Sequence, residues 1–240
     1  MVKGRGPVVI IAALEQEAAA LARHLERSEN RRPLFAEWAG DLDGVPVVLA
    51  LAGVGKVAAA MCAQSLCDRH APRCLVSIGL AGALSGGPDR GHVIIASGAV
   101  QHDFDARPLT HARGVIPGLE SAVLAADAGV SERLLFAAER ALKESRVTIR
   151  SGLVLTGDQI VTSTETRDQL AAQFPGAVCL EMETAAVAQV AERNQVPWGA
   201  LRITSDAADE SFALDDVLEF GAATAGELFE SIIRAVVREL

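Results

Sequence analysis

Carboxylates in this chain cluster where they are expensive to keep. In "CLEMETAAVAQVAERNQVP" (179–197) an apolar run beginning at Pro175 ends in Glu181 and Glu183, with Met182 between them. Desolvating an acid at the end of a buried strand costs free energy unless a partner or a ligand meets it. Other strand-like runs end in the same way. "VVIIAAL" (8–14) leads into Glu15, Gln16 and Glu17, and the run from Gly91 leads to His102, Asp103 and Asp105. The run from Val147 ends at Gly157-Asp158, and "WGALRITSD" (198–206) carries Arg202, Ser205 and Asp206. Two glycine-rich loops, "GVGK" (53–56) and Gly79-Leu80-Ala81-Gly82, stand at equivalent places. Ligands of open α/β sheets bind beyond the carboxyl ends of the strands. Acids, one arginine and two glycine loops on one rim are the materials for acid–base work on a small molecule.

Each of these residues also has a structural reading. Glu15 and Glu17 complement the positive end of a helix. Asp206, before "AADE", serves equally as an N-cap or an Asx turn. "HDFD" (102–105) has ligand-like spacing, but one histidine and two acids fall short of a metal set. No metal and no other cofactor is expected. "GVGK" lacks both the four-residue spacing between glycines and the Ser or Thr after the lysine that a phosphate loop needs. The Glu181/Glu183 pair is hardest to explain structurally, because acids at a strand end against an alanine-rich helix need a partner.

The elements that must position these residues follow from the pattern. "VVIIAAL" is a continuous β-branched run, which predicts a strand buried on both faces. Residues 15–26 predict a helix with acids in its first turn. Residues 34–53 predict two strands joined at Asp43-Gly44, a hairpin signal. A glycine turn then opens a helix over 53–70, and strands follow at 74–87 and 91–100. Residues 101–118 read as a long irregular loop, a length usually reserved for function. A helix over 131–145 with Ser131 as its N-cap, a strand over 147–157 and a helix over 162–174 come next. The chain ends with a strand over 175–180, a helix over 183–194, a strand over 198–206 and one helix over 214–240. Strands alternate with helices, which predicts an α/β class: three α/β/α layers around a mixed, mostly parallel sheet. No repeat or linker divides residues 1–240, so one domain is expected.

Composition narrows the chemistry. The chain has 240 residues, is 50% hydrophobic, and carries a net charge of −9 with three lysines. A nucleic-acid binder shows a basic face; none is legible here. The apolar run near the start is too short to span a membrane, and acids rather than a cleavage site follow it. A cytoplasmic protein is expected. Its four cysteines, Cys62, Cys67, Cys74 and Cys179, form no C-x-x-C pair and read as small buried apolar residues.

Taken together, the motifs resemble the nucleoside phosphorylase/nucleosidase family, and within it the 5′-methylthioadenosine/S-adenosylhomocysteine nucleosidases. The matching stretches are "IIAALEQE" (10–17), "LAGVGKVAAA" (51–60), "GLAGAL" (79–84), "GHVIIASGAVQHDFDA" (91–106), "GLVLTGDQIV" (152–161), "FPGAVCLEMETAAVAQVAERNQVPW" (174–198) and "LRITSDAAD" (201–209). They span nearly the whole chain in the family's order. E-M-E followed by R-x-x-S-D is the most specific part.

The resemblance implies hydrolysis of the N-glycosidic bond of a 5′-substituted adenine nucleoside through an oxocarbenium-like sugar cation. It gives Asp206 the role of general acid at purine N7, which requires that carboxyl to carry a proton. It gives Glu17 the activation of water on the opposite face, with Arg202 orienting the groups, in the manner of two-carboxylate glycoside hydrolysis. Glu183 would hold the ribose hydroxyls and Met182 would pack on the sugar face. Ile160 and Val161 would line the base pocket, with the Val161 backbone reading the adenine edge; Leu80 and Ser205 complete the expected substrate site. Glu181 is left a structural ion pair. A homodimer is implied, with a partner helping to close the pocket.

The phosphorylase branch uses phosphate in place of water. Its extra arginine would fall at Ser77 and its serine at Leu80, and neither residue supplies what an anion needs. Hydrolysis is therefore expected over phosphorolysis, and turnover over a binding protein of the same fold. Leu80 also departs from the nucleosidases, which carry serine there. Thr184 and "HDFDARPL" depart from them as well, the latter where a 5′ substituent would sit.

Overall fold

A computed structural model describes residues 6–27, 35–84, 86–87, 89–119 and 121–240. The basic start at 1–5, Leu34 at the head of the hairpin segment and Ser85 in the second glycine loop lie outside the described residues. In chain order the elements are β1 (Val8–Ala12), α1 (Glu15–Ala22), β2 (Glu26–Arg27), β3 (Ala36–Leu42), β4 (Val45–Leu51) and α2 (Lys56–His70). Next come β5 (Cys74–Ala83), β6 (Val93–Gln101), β7 (Leu124–Ala125), α3 (Ala128–Ala141), β8 (Ile149–Thr156) and α4 (Thr164–Gln173). The chain closes with β9 (Ala177–Glu181), α5 (Thr184–Asn194), β10 (Trp198–Asp206), α6 (Leu214–Phe220), a π-helical turn (Gly221–Ala225) and α7 (Gly226–Val236).

Strand β1 shows how the layers arise. All five of its residues are buried. Val8, Ile10 and Ala12 join one apolar cluster with residues of α1, α3 and α7. Val9 and Ile11 join a second, with residues of α2 and α5. Alternation with period two thus feeds two covered faces of one sheet, giving the expected three layers.

The sheet order is β10-β6-β8-β9-β5-β1-β4-β3-β2, with β7 on β6, and β10 also pairs back onto β5. Five strands, β5, β9, β8, β6 and β10, therefore close into a ring. Strands β1, β4, β3 and β2 extend from it as an open wing. Pairing is mixed: β1 is parallel to β4 and β5, and β10 is parallel to β5 but antiparallel to β6. The Asp43-Gly44 hairpin forms as expected, with φ of 54° and 87° at its two turn residues.

Four expectations change. The helix over 15–26 stops early, because Glu26 and Arg27 pair with Ala39 and Trp38 as an edge strand. The third helix starts before Ser131. Its N-cap is Asp127, whose carboxylate accepts the Val130 amide at 2.9 Å, while Ser131 Oγ donates to the Ala96 carbonyl. The closing helix is two helices around a π-helical turn of small residues, which lies against α1. Strand β7, only two residues long, has no periodicity to detect. No helix among the described residues is long and apolar enough to cross a membrane.

Candidate active site

Beyond the carboxyl ends of β1, β5, β9 and β10 lies a cavity of about 200 Å³. Glu17, Leu80, Met182, Glu183, Ser205, Asp206, Ile160 and Val161 all line it. Of the residues expected to act on or bind the substrate, only Arg202 does not. A second opening of about 600 Å³ adjoins it and shares Ser205, Asp206 and Val217 as a common wall.

Glu17 is placed by the first turn of α1 and is buried. Its Oε2 accepts the Ala13 and Leu14 amides, each at 2.9 Å, and its Oε1 accepts the Leu80 amide at 2.8 Å. Burial pushes its carboxyl pKa up, against those amide donors and the Arg202 charge. Oε1 keeps a lone pair for a further donor, so a water can still bind there. Gly79 makes this packing possible. A Cβ there would stand 2.2 Å from Arg202 Nη1 and 3.0 Å from Glu17 Oε1.

Glu181 does what its structural reading expected. Its Oε2 accepts Arg202 Nη2 at 2.8 Å, the Glu183 amide at 2.9 Å and the Thr184 amide at 2.8 Å, while Oε1 accepts the Thr156 hydroxyl. Both side chains of the pair are 1% exposed. Arg202 also donates to Ser77 Oγ at 2.7 Å and to Thr184 Oγ1. It stands behind the cavity wall, holding the β9–α5 corner, rather than beside a substrate. Removing one member of such a buried pair costs about 3–5 kcal/mol, because the other charge is left unpaired.

Glu183 begins α5 and turns its carboxyl toward the start of α2, where Oε1 accepts the Gly55 amide at 2.8 Å. Burial, then the neighbouring Glu181 charge, push its pKa up to about 8 against Arg202 and the Gly55 amide. The protonated form is the one the fold prefers. Its contribution to stability is complete below the ordinary carboxyl value of 4.5 and is lost as pH rises toward about 8. The Tm advantage of Glu183→Gln over the wild type should therefore grow across that range. A pH-independent Tm difference would place Glu183 at an ordinary carboxyl pKa.

Asp206 ends β10. Its Oδ2 accepts Ser205 Oγ–H at 2.6 Å and its Oδ1 accepts the Ala208 amide at 2.8 Å. The Asx-turn reading thus holds alongside the cavity-facing one. Met182 is half-buried, Val161 is buried, and Ile160 is 57% exposed at the mouth. The Leu80 side chain presents an apolar wall where a hydroxyl was the family expectation.

Other sequence signals fall outside the cavity. Lys56 of "GVGK" pairs with Asp103 at 2.6 Å rather than awaiting a phosphate. Among the described residues no group of three or more His, Cys, Asp and Glu is placed to hold a metal ion. No residue of 101–118 lines the cavity. The sequence reading missed the wall formed by Phe212, Leu214, Val217 and Leu218. Apolar residues at 214, 217 and 218, on one helix face opposite Asp215 and Asp216, were the available signal.

Known proteins match this chain from end to end. The profile of the phosphorylase superfamily matches residues 7–238. A 5′-methylthioadenosine/S-adenosylhomocysteine nucleosidase of Anoxybacillus flavithermus is 34% identical over 230 residues, covering 94% of this chain and 97% of the relative. The crystal structure of the Neisseria meningitidis nucleosidase of that name, in complex with methylthio-immucillin-A, has a TM-score of 0.87 at 32% identity. That match covers 98% of this chain and all of the other. A futalosine hydrolase of Helicobacter pylori has a TM-score of 0.84 at 26% identity and covers 98% of each chain. This chain belongs to the phosphorylase superfamily, alongside the 5′-methylthioadenosine/S-adenosylhomocysteine nucleosidases.

Proposed function

We propose that this protein hydrolyses the N-glycosidic bond of 5′-substituted adenine nucleosides such as methylthioadenosine and S-adenosylhomocysteine. The observation that carries the reading is the convergence of Glu17, Glu183 and Asp206 on one small, mostly apolar cavity. Asp206 protonates purine N7 as the bond breaks. The Ser205 hydroxyl and Ala208 amide then stabilise the carboxylate left behind. Glu17 takes a proton from the attacking water, its orientation fixed by three backbone amides. Glu183 accepts the ribose hydroxyls, Met182 packs on the sugar, and Ile160 and Val161 flank the base. Arg202 acts at one remove, by holding Glu181 and the corner that carries Glu183.

Hydrolysis is favoured over phosphorolysis by the same geometry. Arg202, the one buried arginine among the described residues, is committed to Glu181, Ser77 and Thr184. Leu80 offers an attacking phosphate only an apolar side chain. The protein should release adenine and free methylthioribose from methylthioadenosine in phosphate-free buffer. A sugar 1-phosphate formed only when phosphate is added would establish the phosphorylase. Binding without product across a panel of adenine nucleosides would establish a non-catalytic binder.

A cytoplasmic homodimer belongs to the same proposal. The four thiols are free and buried, as suits a reducing compartment. Val54 and Ile160 are exposed at the cavity mouth, and Val57, Met61 and Leu109 add exposed apolar surface. Exposed apolar side chains of this kind suit an interface, and the 101–118 loop of a second copy would close the 5′ end. The sample used for the assay should elute from a sizing column as a dimer; an active monomer would refute this part.

A further inference from the structure

Beside the cavity, the loops after β6 and β8 meet the amino end of α2 in a cluster that no step of the reaction uses. Lys56 Nζ lies 2.6 Å from Asp103 Oδ1 and 3.8 Å from Asp158 Oδ2. The Asp158 amide donates to Asp103 Oδ2 at 2.9 Å. Asp158 Oδ1 in turn accepts the Lys56 amide at 2.8 Å. One residue back along the chain, the Gly55 amide donates to Glu183 Oε1 at 2.8 Å. Two successive amides at the start of α2 are therefore held by two carboxylates on different loops. Gly55 has a φ of +97°, and a Cβ there would stand 3.1 Å from Asp158 Oδ1. Only glycine suits that conformation without strain.

None of Lys56, Asp103 and Asp158 lines the cavity. Their side chains are 17%, 26% and 46% exposed, so the charges interact more strongly than in bulk water. Burial alone would raise the Asp103 carboxyl. The Lys56 ammonium and the Asp158 amide outweigh it and hold the group below its ordinary range. Without the ammonium, the two carboxylates would face each other across the loops with only backbone amides to offset their repulsion. The first residues of α2 would then lose their fixed position, and the Gly55 amide with them.

We propose that Lys56 is a positioning residue: by tying Asp103 and Asp158 to the start of α2, it fixes the Gly55 amide that orients Glu183 for the ribose. This rests on the ribose-holding role proposed for Glu183. A hydroxyl clamp of that kind binds substrate and transition state alike, so loosening it raises KM more than it lowers kcat.

The test is steady-state kinetics on methylthioadenosine with Lys56→Met, Lys56→Arg, Glu183→Ala and, as a control, Arg234→Met. The control breaks the exposed Arg234–Asp43 pair on a distant surface. Lys56→Met should raise KM about tenfold and change kcat less than about threefold, while Lys56→Arg brings KM back to within about threefold of wild type. The control should match the wild type. A wild-type KM in Lys56→Met, or a loss shared equally by kcat and Tm that arginine does not rescue, would overturn the proposal. If Lys56→Met does not fold, Asp158→Asn carries the test, and a wild-type KM there overturns it equally. Glu183→Ala, which removes the carboxyl altogether, separates the two ideas. An unchanged KM in that variant removes the ribose role and the Lys56 proposal with it. A raised KM in Glu183→Ala beside an unchanged KM in Lys56→Met removes only the latter.

Discussion

Asp206→Asn should bind methylthioadenosine and release almost no adenine. The leaving base is a poor anion, so the proton delivered at N7 carries much of the barrier. A side-chain amide matches the carboxyl in size and can still hydrogen-bond, but it has no proton to transfer at any accessible pH. The expected loss in kcat is about 10²–10⁴-fold, the usual worth of a placed general acid. Asparagine keeps an oxygen for the Ser205 hydroxyl or the Ala208 amide, which now serve both carboxylate oxygens. Binding, measured by calorimetry with the substrate itself, should therefore stay within about tenfold of wild type. A variant that turns over within about tenfold of wild type would take the acid's role away from Asp206.

Glu17→Gln should be comparably slow for a different reason. The water loses its base, and an amide cannot replace it. Three backbone amides point at the two Glu17 oxygens. Glutamine must turn its NH₂ toward at least one of them, so a drop in Tm should accompany the loss of rate. Affinity for a non-hydrolysable nucleoside analogue should persist, because the ribose and base contacts remain. The wild type carries a further signature. Burial holds the Glu17 carboxyl above the ordinary value of 4.5. A base must be deprotonated to act, so kcat/KM should fall as pH drops through that raised value, not through the ordinary one. Unchanged rates in Glu17→Gln would mean that water is activated elsewhere.

The site was legible because its acids sit at strand ends. Glu17, Glu183 and Asp206 each follow an apolar run; β1 and β10 run parallel to β5, and the last residues of β9 pair with the last residues of β5, so these ends meet. The Asp43-Gly44 turn was legible because its chemistry is local. Arg202 was only half legible: its link to the site was expected, but its commitment to Glu181 was not. That pair forms across 21 residues and depends on how β9 and β10 both lie against β5. Sheet closure was not legible for the same reason. Nothing in "WGALRITSD" distinguishes a strand with one neighbour from a strand with two. The α6 wall was missed because 214–240 was read as one closing helix with no part in the site. None of the residues of α6 is buried; Leu214, Val217 and Leu218 face the cavity instead.

Strand β10 hydrogen-bonds to β5 on one side and β6 on the other. A strand paired on both flanks opens only near the free energy of global unfolding, whereas a short surface helix such as α6 opens at a small fraction of it. In deuterated solvent the amides leading to Asp206 would be among the last to exchange, and those of α6 among the first. Opening of α6, which walls the cavity, therefore asks for no disturbance of the strand that ends in Asp206. One wall of the cavity can move on one clock while the strand behind it keeps another.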